Sequence, residues 1–297
     1  MFFFKKKRHR FILGKIFTQT GGKLMLHDIS LLLIGCGKMG GSVLNGLLKN
    51  GFSAQNIRVA EPNEDIRKNL SDKGILSAAS AAELKDFDPD IVFLAVKPFL
   101  IEQVIGDVRP FTDKGAAVLS IIAGRQIGWF KEKLGEKTVV FRAMPNTPAA
   151  IGKGITGVTS GGFETEKQKQ AVQSVLHSCG EVVWLDNESQ IDAVTAVSGS
   201  GPAYVFYLTE ALTQAAKALG LSDENAEKLA KATVVGAAGL MDAGSETPAV
   251  LRRNVTTPNG TTAAALDILM NPQTGFEPLL TQAVRAAEKR SQELAKA

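Results

Sequence analysis

Gly35-Cys-Gly-Lys-Met-Gly40 follows directly on the apolar run Ile29–Ile34 and opens a helical pattern over residues 42–49. A G-x-G-x-x-G spacing means little alone. Between a strand and a helix it has a physical role. The first glycine permits a tight turn and the second lets the backbone approach a pyrophosphate. The third lets helix and strand pack closely, and the helix N-terminus favours phosphate charge. Gly35, Gly37, Lys38, Met39 and Gly40 are therefore candidate cofactor-binding residues.

The surrounding chain supports that setting. Apolar runs at Ile57–Ala60, Ile91–Val96, Ala117–Ile122 and Thr138–Ala143 read as strands, with helical patterns around 64–70 and 80–86. Strands at Ile155–Thr159 and Glu181–Leu185 flank a helix over 164–178. This alternation predicts an α/β domain, a mainly parallel sheet covered by helices on both faces, over residues 25–187.

Val59-Ala60-Glu61 places an acid 21 positions after Gly40. A carboxylate there accepts hydrogen bonds from the ribose 2′-OH of NAD and repels a 2′-phosphate. Arg58 and Arg67 lie close enough in sequence to soften that repulsion, so the reading favours NADH and leaves NADPH open. The alternative is a solvated turn residue before Pro62. Cys36 reads as a small filler between glycines rather than a redox thiol. Ala95-Val-Lys-Pro98 and Met144-Pro-Asn-Thr-Pro148 follow strands at their C-terminal ends, where α/β sheets bind ligands. Asn146 and Thr147 offer donors and acceptors to a ribose or carboxamide. Lys97 is equally a phosphate contact or a solvated lysine.

After about Asn187 the strand signal stops. Val205, Leu208, Leu212, Ala215 and Leu219 recur at helical spacing, and Ser222-Asp-Glu-Asn reads as a helix start. Ala232–Met241 carries no charge, so a helix there must be buried. We expect a second, all-helical domain over 188–297 that completes its core against another subunit. It holds two glycine-rich elements. Ser198-Gly-Ser-Gly-Pro-Ala-Tyr204 reads either as an anion site of exposed backbone N–H groups or as plain helix capping. Val255-Thr-Thr-Pro-Asn-Gly-Thr-Thr262 carries four hydroxyls before a helix over 263–270, and reads as an anion cradle or as a polar loop with a hydroxyl cap. Two such loops together favour a substrate carboxylate.

Charge and composition exclude other classes. The 297 residues carry 34 Lys+Arg and 30 Asp+Glu. Seven of the bases and none of the acids fall in residues 1–24, so the rest of the chain holds 27 bases against 30 acids, a net −3. The basic stretch reads as a disordered extension before Met25, and the acidic body argues against nucleic acid as a partner. Two cysteines and three histidines give neither a disulfide framework nor a metal site. No apolar run reaches the ~18 residues of a membrane span. The expected setting is cytoplasmic, without a membrane partner.

No residue of 178–297 is a histidine, so no acid–base machinery stands out there. Hydride addition to a C=N bond fits, because a ring imine protonates near neutral pH and its carbon is then electrophilic. Orientation and electrostatics carry such a reaction.

With Leu251-Arg-Arg-Asn-Val-Thr-Thr-Pro-Asn-Gly-Thr-Thr262 as the most specific segment, these five motifs together resemble the pyrroline-5-carboxylate reductase family over about residues 27–297. The resemblance implies NAD(P)H-dependent reduction of 1-pyrroline-5-carboxylate to L-proline. It implies a Rossmann-type dinucleotide-binding domain followed by a helical dimerisation domain, in dimers that assemble further, often to decamers. The site would lie between the Rossmann domain of one subunit and the helical domain of its partner. By that carry-over Thr257, Gly260, Thr261 and Thr262 hold the substrate, Ser200 and Gly201 lie against it, and Thr262 and Ser200 are the catalytic candidates. Asn146 and Thr147 sit near the nicotinamide, and Ala95, Val96, Lys97 and Pro98 along the cofactor. Glu61 departs from relatives that carry a small hydroxyl residue there. The alternative is a related imine or β-hydroxyacid-type reductase with another small carboxylate substrate. The turn Tyr204-Val-Phe-Tyr-Leu208 lacks the Lys and Asn of β-hydroxyacid dehydrogenases.

Overall fold

A computed structural model describes residues 29–295. The expected basic extension, residues 1–24, lies outside them. The N-terminal half alternates as β1 (Leu31–Ile34), α1 (Lys38–Lys49), β2 (Ile57–Ala60), α2 (Glu64–Ser71), β3 (Leu76–Ala78) and β4 (Ile91–Leu94). Short turns α3 (Ile101–Val104) and α4 (Arg109–Thr112) lead to β5 (Ala117–Ser120), α5 (Ile127–Leu134) and β6 (Val140–Met144). Then come β7 (Gly154–Ser160), α6 (Glu166–His177) and β8 (Gly180–Trp184).

The strands form one eight-stranded sheet in the order β3-β2-β1-β4-β5-β6-β7-β8. The first six are parallel in the order of a dinucleotide-binding sheet. The chain crosses over between β1 and β4, so a crevice opens beyond their C-terminal ends. β7 then runs antiparallel to β6, and β8 parallel to β7.

Alternation along each central strand builds two cores. Leu31 and Leu33 face α1 and α6, among Val43, Leu47, Val172 and Val175. Leu32 and Ile34 face the other way, among Val108, Phe111 and Phe130. Strands buried on both faces read as unbroken apolar runs, and for that reason β1, β4 and β5 were legible in sequence. β3 was not expected. It is a three-residue edge strand with Leu76 exposed, so it carries no apolar signature. The strand expected at Thr138 begins at Val140.

The helical half starts with α7 (Gln190–Val194), runs through a π-turn (Thr195–Gly199) into α8 (Gly201–Ala218), and continues as α9 (Asp223–Ala243), α10 (Pro248–Asn254), α11 (Thr261–Leu269) and α12 (Phe276–Leu294). α9 begins as expected, with Ser222 Oγ accepting the Asn225 N–H and Asp223 and Glu224 in the first turn. α8 packs on α9, and α12 folds back against α7 and the π-turn. Otherwise the half has little interior: α8, α10, α11 and α12 bury no residue, and α9 buries only Ala226 and Ala230. Expected burial of Ala232–Met241 is therefore absent within one chain, where Val235 is 64% and Leu240 63% exposed. Leaving so much apolar helix in water is unfavourable at ~25 cal/mol per Å². Among the described residues nothing covers that face.

Candidate active site

Gly35 and Gly40 are fixed by contact. A Cβ on Gly40 would lie 2.3 Å from the Gly35 carbonyl oxygen, and one on Gly35 would lie 2.9 Å from Val96 Cγ1. Gly35 also has φ +89°, a left-handed conformation that favours glycine. Gly37 differs, because a Cβ there would meet open space. Gly37 is the N-cap of α1 and offers no side-chain cap, so the first-turn N–H groups, with Lys38 and Met39, face outward uncapped. This is the geometry a pyrophosphate needs: a tight turn behind, an open approach in front, and a helix N-terminus aimed at it.

Glu61 stands at the end of β2 and is 8% exposed. Its Oε2 accepts the Cys36 N–H at 2.7 Å and its Oε1 accepts the Asn63 N–H at 3.0 Å. The solvated-turn alternative is thereby excluded. Arg67 Nη1 donates to the Glu61 and Pro62 carbonyl oxygens, and Arg58 lies over the Phe87 ring while donating to Gln55 and Ile57. Neither guanidinium is bonded to the Glu61 carboxylate. Burial raises the Cys36 thiol above its ordinary pKa, and the nearby Glu61 carboxylate adds to this against an opposing effect of Lys73. That thiol is a poor nucleophile, in keeping with a filler role.

Two further loops reach the same crevice. Ala95 and Val96 are half-buried against Gly35 and Gly40. Lys97 is exposed, with Nζ 5.9 Å from the Phe99 ring centroid, and Pro98 follows it on the rim. Asn146 is buried, and its Oδ1 accepts the Ile155 N–H at 3.0 Å, which braces the turn into β7. Its amide N–H groups remain the donors of that side chain. Thr147 is exposed beside it.

The Ser198–Tyr204 element corrects one expectation. It is not an open helix start with free N–H groups. Ser200 N donates to the Thr195 carbonyl, Ala203 N donates to Ser200, and helical backbone continues from α7 into α8. The cause is a π-turn, held by Tyr204 Oη donating to the Ala196 carbonyl at 2.9 Å. Pro202, in the first turn of α8, has no N–H to donate. The element also reaches the sheet, since a Cβ on Gly199 would lie 3.7 Å from Met144 Cγ. Gly199, next to Ser200, thus lies against Met144 at the end of β6, two residues before Asn146. Insertions of this kind recur at functional sites.

The threonine loop behaves as expected locally. Thr257 and Gly260 close a turn through Gly260 N and the Thr257 carbonyl, and Asn259 takes φ +60°. A Cβ on Gly260 would lie 2.3 Å from Thr257 Oγ1. Gly260 is the N-cap of α11 without a side-chain cap, so Thr261 and Thr262 begin a helix whose N-terminus is open to an anion. Within one chain this loop does not join the others, for among the described residues α10 and α11 make no extended packing with any other element.

The structure therefore gathers Gly35, Gly37, Lys38, Met39, Gly40, Glu61 and Ala95 to Pro98 around one crevice, with Asn146 and Thr147 on the loop that packs on α1, and it places Gly199, beside Ser200 and Gly201, against Met144. It leaves Thr257, Gly260, Thr261 and Thr262 apart. Sequence reasoning missed Glu188, whose Oε1 accepts both Arg142 Nη1 and the Ile127 N–H. It lies in a polar stretch, Asp186-Asn-Glu-Ser189, with no pattern to distinguish it. It also missed Tyr204 as the brace of the π-turn.

Residues 188–294 match the family model described as pyrroline-5-carboxylate reductase dimerisation, and residues 30–124 match one described as NADP oxidoreductase, coenzyme F420-dependent. The chain is 39% identical over 265 residues to the pyrroline-5-carboxylate reductase of Pseudomonas aeruginosa, covering 89% of this chain and 96% of that one. The chain belongs to the pyrroline-5-carboxylate reductase family. The family member from Glycine max is 35% identical, again over 89% of this chain and 96% of its own. Among solved structures, the family member from Coxiella burnetii superposes with TM-score 0.85 at 33% identity, covering 91% of this chain and 99% of that one. That of Plasmodium falciparum, with NADP bound, gives 0.76 at 28% identity, covering 91% and 99%. The dimerisation match falls on the helices left exposed in a single chain, so homo-oligomers supply their cover. Among the described residues no helix is long and apolar enough to cross a membrane.

Proposed function

We propose that the protein is an NAD(P)H-dependent oxidoreductase that reduces 1-pyrroline-5-carboxylate to L-proline, the last step of proline biosynthesis. The observation that carries this reading is the pairing of a complete dinucleotide crevice with an uncapped, threonine-lined helix start on the family's dimerisation domain. Residues 25–187 serve the cofactor and residues 188–297 the substrate and subunit contact.

The residues present fit a dinucleotide. Gly35, Gly37, Lys38, Met39 and Gly40 would hold the pyrophosphate and Glu61 the adenosine ribose. Ala95, Val96, Lys97 and Pro98 would line the cofactor, with Asn146 and Thr147 at the nicotinamide end. Bound NAD(P)H supplies the hydride. Thr257, Gly260, Thr261 and Thr262 of one subunit would hold the substrate carboxylate at the N-terminus of α11 against the crevice of the partner. Ser200 and Gly201 would lie against the ring. The ring nitrogen carries the proton and its carbon receives the hydride, so the balance is imine, NAD(P)H and H⁺ to L-proline and NAD(P)⁺. Thr262 and Ser200 act by placing and polarising the ring, not by storing a proton. Dimers would be the working unit, assembling further to decamers. Two unpaired thiols support a cytoplasmic setting.

Purified protein should oxidise NAD(P)H only when pyrroline-5-carboxylate is added, and no turnover with either cofactor would end the reading. Thr262→Val should lower kcat/KM by at least tenfold with an unchanged circular dichroism spectrum. Equal or better turnover of six-membered ring imines would favour a different reductase on the same fold.

A further inference from the structure

Both Glu61 oxygens are committed to backbone N–H groups on opposite sides of the adenosine subsite. Cys36 N donates to Oε2 at 2.7 Å from the glycine loop, and Asn63 N donates to Oε1 at 3.0 Å from the turn into α2. The residue is 8% exposed. A carboxylate held this way is anchored at both ends and cannot swing aside without leaving two backbone donors unpaired. Each oxygen still has a lone pair for a ribose hydroxyl.

The cations around it are not hydrogen-bonded to its carboxylate. Arg58 is drawn onto Phe87. Arg67 Nη1 is spent on the Glu61 and Pro62 carbonyls, and Lys73 Nζ donates to Asn45 Oδ1 at 2.9 Å. Glu64 and Asp65 in the first turn of α2 add negative charge to the same rim. A 2′-phosphate placed at this ribose would meet a fixed, partly desolvated carboxylate, and like charges at such a site oppose each other strongly.

We infer that Glu61 selects against the 2′-phosphate, and that the reductant this site takes in preference is NADH. The turnover part rests on the proposed reductase activity, whereas the nucleotide-binding part does not. Glu61 has a second duty in the same geometry: it ties the glycine loop to the start of α2, so the ribose and pyrophosphate subsites are set by one side chain.

The test uses the full-length oligomer. In native protein, kcat/KM with pyrroline-5-carboxylate should be at least tenfold higher for NADH than for NADPH. By calorimetry, adenosine 5′-monophosphate should bind at least tenfold more tightly than adenosine 2′,5′-bisphosphate. Glu61→Ser should narrow or invert both ratios while weakening NADH itself, because the brace is lost. Glu61→Gln keeps the shape and removes the charge, and should shift both ratios toward the 2′-phosphate by at least fivefold; its amide nitrogen cannot accept the second backbone N–H, so Tm should fall, by no more than in Glu61→Ser. Equal or tighter binding of the bisphosphate by native protein would overturn the inference. If Arg67→Ala then abolished that preference, the 2′-phosphate would belong to Arg67. Retained nucleotide selectivity without imine turnover would instead sink the proposed reaction and leave this inference standing.

Discussion

Glu188 Oε1 lies 2.9 Å from Arg142 Nη1, joining the first residues of the helical half to the middle of β6. The Arg142 side chain is 3% exposed and that of Glu188 28%. The same oxygen accepts the Ile127 N–H at 2.8 Å, so one carboxylate caps α5 and neutralises a buried guanidinium. Glu188→Ala should cost ~3 kcal/mol, because it strands a charge in the sheet. Replacing both residues by apolar ones, Arg142→Met with Glu188→Leu, should cost less than the single change. Urea unfolding at one fixed protein concentration measures this, and a double variant no better than Glu188→Ala would refute it.

Gly37 and Gly40 should fail in different ways when changed to alanine. A methyl on Gly40 collides with the Gly35 carbonyl, so Gly40→Ala should lower Tm and abolish nucleotide binding together. Gly37→Ala meets open space and should leave Tm within a degree or two, yet weaken NADH binding by tenfold or more, where the pyrophosphate approaches. Fluorescence titration beside a thermal melt separates the two. An undisturbed affinity in Gly37→Ala would show that the phosphates lie elsewhere.

Assembly should depend on the apolar face of α9. Val235 and Leu240 are exposed in one chain, at 64% and 63%, within a helix whose central stretch bears no charge. Leu240→Arg places a charge where the partner must pack, and a single such change can exceed the stability available to an interface. Light scattering should report monomers or aggregates in place of the native oligomer, with activity lost. A native-sized assembly carrying that arginine would mean that α9 is not the contact.

Acid sensitivity should arise partly at Asp90, just before the central strand β4, at the end of the sheet opposite the crevice. Burial opposes its ionisation. The Ser30 N–H, the Lys167 ammonium and the Ser30 hydroxyl outweigh this, and hold its pKa below the ordinary carboxylate value. A carboxyl depressed on folding stabilises the folded state above its unfolded pKa, and that stabilisation drains away as pH falls through the folded value. Native protein should therefore lose stability below about pH 4. Asp90→Asn should be less stable at pH 7 and show a shallower loss on acidification. Parallel curves for the two proteins would remove Asp90 from that response.

How far these arrangements could be read beforehand depended on whether a side chain or the backbone carried them. The apolar strands β1, β4 and β5 announce themselves because burial on both faces leaves no polar position. Glu61 was legible from its spacing to the glycine loop. Its hold on that loop was not, because the donor is the Cys36 backbone N–H, which every residue but proline possesses. The segment around Ser200 misled, since glycine before proline usually marks a helix start. Here the helix had already begun at Gln190, and the glycines accommodate a π-turn within it. The uncharged stretch of α9 called for a cover, and among the described residues none is present.

The isolation of the threonine loop from the glycine loop within one chain has a genetic corollary. On the proposed two-subunit site, each active centre draws on two copies of the polypeptide. A chain disabled at Gly40 and a chain disabled at Thr262, each inactive alone, would restore in a mixed dimer one centre built wholly from intact parts. The other centre would inherit both lesions. Two null alleles of this gene should therefore complement each other in the same cell, up to a quarter of normal activity when the chains mix at random.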